Sequence, residues 1–199
     1  MSEEIQVVDS AGHAAEMSAA RRPVESRLFR DTVETMLLIA ISFLVVNALI
    51  GRFRIEQVSM QPNLHEGEYV LVDKVSYALR TPARGEIVVF EKTGQADLIK
   101  RIIGLPGETI EVRDGRVYVN NVPLDEPYIS GPIDKPVPAQ IVEAGRYFVM
   151  GDNRNNSSDS RLFGSIAAAN IVGRAWIIYW PPGDWQVLTR PTYAAASTP

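Results

Sequence analysis

Residues 98–119 read LIKRIIGLPGETIEVRDGRVYV, and this stretch decides the fold class. Three runs, 98–103, 109–112 and 116–119, have the apolar content and length of strands. Asp114-Gly115 between the last two is the residue pair of a tight antiparallel hairpin. Side chains alternate faces along a strand, so Lys100 shares one face with Leu98 and Ile102, and Arg101 the other with Ile99 and Ile103. Both faces carry apolar neighbours, so at least one cation is expected in a partly desolvated place. Desolvation penalises an ammonium and lowers its pKa. A neutral lysine amine is a competent general base, whereas arginine stays charged. The plain alternative is a lysine whose amine reaches the surface at a strand edge.

Working outward, the same signature recurs. Residues 68–75 (EYVLVDKV) and 86–90 (EIVVF), the latter after a turn-like 81–85, read as strands, as do 147–150 and 171–180. Several prolines between Pro123 and Pro138 predict an irregular connection at a sheet edge. Upstream the character changes. Residues 36–50 (MLLIAISFLVVNALI) hold no charge and two polar residues, Ser42 and Asn47; extended to 33–53 they give about 20 residues, enough to cross a bilayer as a helix. A cleaved signal peptide is disfavoured by the long preceding segment and by the lack of a small-x-small site after the apolar run. The expected fold is mostly β: a single N-terminal transmembrane helix followed by a compact antiparallel β domain. Residues 1–31 read as a flexible cytoplasmic tail, 32–53 as a transmembrane signal anchor, and 54–199 as the β-rich domain, with a small insertion around 105–147. Arg21, Arg22, Arg27 and Arg30 before the span favour a cytoplasmic N-terminus and an extracytoplasmic domain, against the weaker pull of Arg52 and Arg54.

The 199 residues carry a net charge of −4, which gives no basic footprint for nucleic acid. With no cysteine there is no thiolate nucleophile and no cysteine-ligated metal. The histidines are His13, in the tail, and His65, so acid–base chemistry is pushed onto another side chain.

Two further stretches carry chemistry-bearing side chains. Ser59-Met60-Gln61-Pro62-Asn63-Leu64 lies just beyond the presumed membrane exit; Pro62 and Asn63 place Ser59 at a turn, which by itself is an ordinary surface serine. Residues 151–161, GDNRNNSSDSR, form a polar loop after an apolar strand. An EF-hand reading of it fails, because Arg154 stands where an oxygen ligand is needed. Asp159 and Arg161 are placed to pair and fix the loop, leaving Ser157 free to position another group.

In order, these blocks run anchor, Ser-Met-x-Pro-x-Leu, Arg-Gly-Glu-Ile-Val-Val-Phe (84–90), Lys-Arg-Ile-Ile-Gly-Leu-Pro-Gly-Glu (100–108) and Gly-Asp-Asn-Arg-x-x-Ser-x-Asp-Ser-Arg (151–161). The arrangement resembles the bacterial type I signal peptidase family over about residues 32–180. The resemblance implies a membrane-bound serine endopeptidase that removes signal peptides from exported preproteins after a small-x-small site. It implies Ser59 as nucleophile, Lys100 as general base and Ser157 as the residue orienting that lysine. Asp159 and Arg161 would support the site by a salt link, with Asp152 and Arg154 as structural neighbours and Met60 and Pro62 at the substrate. No cofactor or metal is implied; the partners are preproteins and the lipid bilayer. Many relatives have Ser, Thr or Gly two residues before the nucleophile, where this chain has Gln57, whose amide is then a candidate oxyanion donor. Two other readings compete: a repressor-type self-cleaving Ser-Lys protease, and a membrane-anchored β domain that only binds a partner.

Overall fold

The computed structural model describes residues 24–92, 94 and 96–193; residues 1–23, most of the expected tail, lie outside the described residues. Helix α1 spans Val24–Leu49 and runs directly into strand β1, Ile50–Arg54. It therefore begins before Thr32 and ends before Phe53. Upstream, good helix formers and an i,i+4 pair between Arg30 and Glu34 (3.6 Å) continue the helix. Downstream, Gly51 and Phe53 alternate with Arg52 and Arg54, and the segment pairs with a neighbouring strand, Ile50 opposite Asp73 and Arg54 opposite Tyr69. Residues 27–49 contain an 18-residue stretch of mean hydropathy 2.0 and are exposed throughout. At 1.5 Å per residue those 23 residues reach about 34 Å, enough for a hydrocarbon core of about 30 Å. The hydroxyls of Thr32 and Thr35 donate to the carbonyls of Leu28 and Asp31, so α1 satisfies these polar groups internally.

From Asn47 onward the chain forms a second unit. Its larger sheet has the order β1-β2-β11-β3-β4-β9-β10, with β12 on β11: β2 is Tyr69–Asp73, β3 Ile87–Phe90, β4 Leu98–Gly104, β9 Arg146–Met150, β10 Ile166–Ala167, β11 Ile171–Trp180 and β12 Gln186–Val187. A smaller sheet, β7-β6-β5-β8, holds β5 (Thr109–Arg113), β6 (Arg116–Val119), β7 (Val122–Pro123) and β8 (Val137–Ile141). Every pairing is antiparallel. Asp114 and Gly115 turn the β5–β6 hairpin with φ of 49° and 73°, the left-handed pair that an Asp-Gly turn supplies. Pro123 and Pro138 sit on β7 and β8, the two edges of the smaller sheet, where a missing N–H is tolerated. Two helices of four residues, α2 (Ser76–Leu79) and α3 (Ser160–Phe163), interrupt the strands.

Three apolar clusters make the core, and β4 touches all of them. Ile99 packs with Ile55, Met60, Leu64 and Val89. Ile103 packs with Ile110, Val117 and Phe148 against the smaller sheet. Ile102 packs with Val88, Phe90 and Val149. Each fully buried side chain of this kind contributes about 1.5–3 kcal/mol. The two cations between these isoleucines are therefore held where the domain is least able to rearrange.

Candidate active site

Ser59 sits in a single turn of 3-10 helix, Val58–Met60, on the connection between β1 and β2. The turn is pinned from below by Ile55, Met60 and Leu64, all buried in the first cluster. It is closed by Gln61 N–H on the carbonyl of Val58 (3.1 Å) and by Asn63 and Leu64 N–H on that of Met60 (3.0 Å each). No side chain caps the turn, so its leading N–H groups, that of Ser59 among them, have no capping oxygen. Met60, expected at the substrate, is completely buried and belongs to the support of the turn. Pro62 is exposed beside the turn, and Gln57, also exposed, precedes it with extended backbone and an amide that does not cap it.

Lys100 lies at the middle of β4, opposite Val88 of β3. Its Nζ is 2.8 Å from Ser59 Oγ and donates to the carbonyl of Ile99 at 2.8 Å. Both residues are buried, Ser59 with 4% and Lys100 with 1% of its surface exposed. Burial pushes the lysine from an ordinary 10.5 down to about 8, against the upward pull of the Asp159 and Asp152 carboxylates. The strand parity that placed apolar residues on both faces thus buries both cations, Arg101 at 3% exposure as well.

What keeps the lysine free to titrate is the pairing of the acids around it. Asp152 takes two hydrogen bonds from Arg101, at 2.8 and 2.6 Å. Asp159 takes two from Arg161, at 2.8 and 2.7 Å, caps α3 through the N–H of Arg161, and accepts Gly151 N–H at 3.0 Å. Arg154 is matched in the same two-pronged way by Glu126, at 2.7 and 2.6 Å. Bidentate pairs of this kind fix both partners in register. Among the described residues, Lys100 is the buried cation that has no carboxylate in ion-pair contact. Arg101 also donates to the carbonyl of Gly85 at 2.9 Å, and its guanidinium lies 4.1 Å from the centre of the Tyr128 ring. The Tyr128 hydroxyl accepts from that of Tyr193 at 3.0 Å, which ties the end of the described chain to the network.

The loop 151–161 is joined directly to the serine turn. Asn153 N–H donates to the carbonyl of Ser59 at 3.0 Å, and its side-chain amide to that of Val58 at 3.2 Å. Gly151 makes this approach possible: a Cβ there would lie 2.5 Å from the Ser59 carbonyl oxygen and 2.6 Å from the Ser157 Cβ. Ser157 Oγ is buried and has no hydrogen-bond partner. The expected contact from Ser157 to Lys100 is therefore not formed; the lysine's two hydrogen bonds go to Ser59 and Ile99, which leaves its third N–H and the serine hydroxyl both open. His65, the one histidine of the domain, is directed elsewhere, its Nδ1 3.3 Å from Glu68 Oε1.

Several contributors lie outside the sequence expectations. Asn63 bridges the site, donating to Asp152 Oδ2 at 2.9 Å and to the Tyr128 carbonyl at 2.7 Å. Glu126 and Tyr128 come from the proline-rich connection that reads as irregular. Asn63 and Asp152 are 89 residues apart, so no local pattern links them. The one available signal is charge balance: loop 151–161 holds two arginines and two aspartates, and a buried Arg101 calls for one more acid, which Glu126 supplies.

A family model described as signal peptidase, peptidase S26, matches residues 29–180. The chain is 38% identical over 173 residues to signal peptidase I of Leptolyngbya laminosa, covering 82% of this chain and 85% of that one. It is 43% identical over 150 residues to probable signal peptidase I-1 of Synechocystis, covering 70% and 76%. It is 34% identical over 180 residues to signal peptidase IB of Staphylococcus aureus, covering 79% and 94%. Among solved structures, a signal peptidase I from Enterococcus faecalis aligns with a TM-score of 0.42 at 34% identity, over 48% of this chain and 97% of that one.

Proposed function

The chain belongs to the signal peptidase family, peptidase S26, and from that membership we propose that it is a membrane-bound serine endopeptidase that removes N-terminal signal peptides from exported preproteins after a small-x-small site. The observation that carries the chemistry is the 2.8 Å contact between Ser59 Oγ and a buried Lys100. With the amine neutral, the Ser59 hydroxyl donates to Nζ. As Oγ attacks the carbonyl carbon before the cut, its proton passes to Nζ and negative charge collects on the carbonyl oxygen. The Ser59 N–H is one donor for that oxyanion, and Gln57, at the edge of the same turn, is the candidate for a second. Collapse of the intermediate breaks the peptide bond; the Lys100 ammonium returns its proton to the leaving amine, and the acyl group stays on Ser59. Lys100 then takes a proton from water, whose hydroxide releases the signal peptide and restores the serine.

Ser157 acts by orienting the lysine. Its hydroxyl, buried and unbonded, lies against Gly151, which also packs on the Ser59 carbonyl, and accepting the third N–H of Lys100 would satisfy both groups. A hydroxyl orients the amine without adding charge, whereas another carboxylate would hold it protonated. Asp159–Arg161 and Asp152–Arg101 set the field around the amine, and Arg154–Glu126 holds the loop. Pro62 is placed to meet the substrate, an extended peptide with small side chains.

The apolar part of helix α1 serves as the anchor and the chain from Ile50 onward as the peptidase domain, with the N-terminus cytoplasmic and the domain extracytoplasmic, as the arginines before the span favour. Anchor and substrate then share one membrane, which raises the effective concentration of each for the other.

The test is cleavage of a preprotein with an Ala-x-Ala site, in detergent, by wild type, Ser59→Ala and Lys100→Ala. Both variants should fold and fail to cleave. Retained cleavage by Lys100→Ala would remove the lysine from the mechanism, and no cleavage by wild type would favour the binding-domain reading.

A further inference from the structure

Away from Ser59 and Lys100, two arginines, Arg174 and Arg190, open onto one groove whose nearby carboxylates are already engaged. Arg174 lies on β11 between Asp73 of β2 and Val88 of β3. Its guanidinium approaches only the Asp73 carboxylate, at 3.7 Å, and its Nε is buried with no hydrogen-bond partner. Asp73 is already occupied: its oxygens take the N–H groups of Val75 and Ser76 at 3.0 Å each and the Ser76 hydroxyl. Arg190, exposed, faces the same space, a cavity of about 670 Å³. The acid in that wall, Glu86, is also spent. It accepts from Tyr77 (3.0 Å), twice from Arg80 (3.0 and 2.6 Å) and from the N–H of Ala83 (2.9 Å).

The rim also carries Trp176, Val187 and Leu188, beside the hydroxyls of Thr81 and Thr189. Trp176 is 38% and Val187 55% exposed, and Trp180 and Trp185 are exposed on the same β11–β12 arm. Guanidinium forks beside the exposed indole of Trp176 match a phosphodiester with hydrocarbon attached, the composition of the headgroup layer of a bilayer. An acidic peptide would use the arginines but leave the tryptophans in water. The apolar helix α1 leads directly into β1, so a lipid surface is at hand where this domain works.

We propose that the groove binds the phosphodiester of a glycerophospholipid headgroup, with Arg174 and Arg190 as donors and Trp176 and Val187 against the first carbons of the acyl chains. The inference rests on the reading of α1 as a membrane anchor and is independent of the peptidase chemistry. Its test uses the full chain in a nonionic detergent, titrated with dihexanoyl phosphatidylglycerol and followed by native mass spectrometry. Arg190→Gln, at an exposed position, and Arg174→Gln are compared with wild type, their unfolding midpoints serving as the check on folding. Each guanidinium removed should weaken saturable lipid binding by about tenfold, the loss of one charge-assisted hydrogen bond. Lipid entering the micelle through α1 is common to all three proteins and cancels in the comparison. Equal binding by wild type and a folded Arg190→Gln would overturn the proposal. Inorganic phosphate binding as tightly as the lipid would also overturn it, by making the groove a simple anion site. Binding that persists in a chain unable to cleave preproteins leaves this inference standing while the peptidase reading fails.

Discussion

Asn153 holds the carbonyl of Ser59 at 3.0 Å through its backbone N–H, so the loop carrying Asp152, Ser157 and Asp159 and the turn carrying the nucleophile move as one piece. Residues from four separate stretches of chain thereby form a single rigid constellation around Lys100. Its behaviour under substitution follows from which of those links is cut.

Gly151→Ala pushes the two pieces apart. The new Cβ would meet the Ser59 carbonyl oxygen at 2.5 Å, so either the turn or the loop must shift. Preprotein cleavage should fall about a hundredfold, because misplacement on the order of 1 Å is worth that much, and stability should drop by about 2 kcal/mol. Steady-state kinetics and denaturant unfolding on the same preparation measure both.

Cleavage should rise from neutral into alkaline pH. With Lys100 titrating at about 8, about one site in ten carries a neutral lysine at pH 7 and about nine in ten at pH 9. When chemistry limits the rate, kcat/KM should therefore increase about tenfold between these values. A flat profile would show that the lysine is not the group that takes the serine proton.

Lys100→Met should stabilise the fold at pH 7 while abolishing cleavage. Below pH 8 the lysine is charged in both folded and unfolded chains, and the folded state bears the full cost of burying it, about 3 kcal/mol for a shift from 10.5 to about 8. Between pH 8 and 10.5 only the unfolded chain keeps the proton, so wild-type stability climbs with pH until both forms are neutral. The advantage of the variant should be about 2 kcal/mol at pH 7, after the lost Ser59 contact, and should vanish by about pH 10.5. Urea unfolding across this range, in one detergent, reads the slope.

Arg101→Met leaves Asp152 buried without its partner and should destabilise by about 3–5 kcal/mol. The bare carboxylate would also raise the Lys100 pKa and move the pH profile upward. Adding Asp152→Asn removes the charge and should return the profile toward that of wild type, an outcome that a purely structural role for Arg101 does not give. The pH profile of the double variant, set beside that of the single, is the deciding comparison.

The β architecture was legible because short apolar runs and turn residues are local signals. Strands 116–119 and 171–180 coincide with β6 and β11, and the Asp114-Gly115 hairpin forms as its composition requires. Two-residue strands such as β7, β10 and β12 carry no periodicity to detect, and β8 is masked by Pro138. At the site, Ser59 Oγ and Lys100 Nζ lie 2.8 Å apart, although 41 residues separate them in sequence. The partner of each charge was not legible. Asp152 pairs with Arg101 and not with its neighbour Arg154, because the two-pronged match depends on how β4 faces the loop. The place of the Ser157 hydroxyl, buried against Gly151 and without a hydrogen-bond partner, is likewise a matter of packing and not of any sequence pattern.

The sheet order β2-β11-β3 places the late strand Ile171–Trp180 between two early ones. Ser59 is attached to the β1–β2 side and Lys100 to the β3–β4 side, so the strand that joins them is synthesised after both. A nascent chain that has already emitted both residues still lacks the seam between them. Between the synthesis of Lys100 and that of β11, nucleophile and base lie on parts of the sheet that no strand yet joins, so closing this seam is a pairing of segments far apart in sequence, the kind of contact that slows folding.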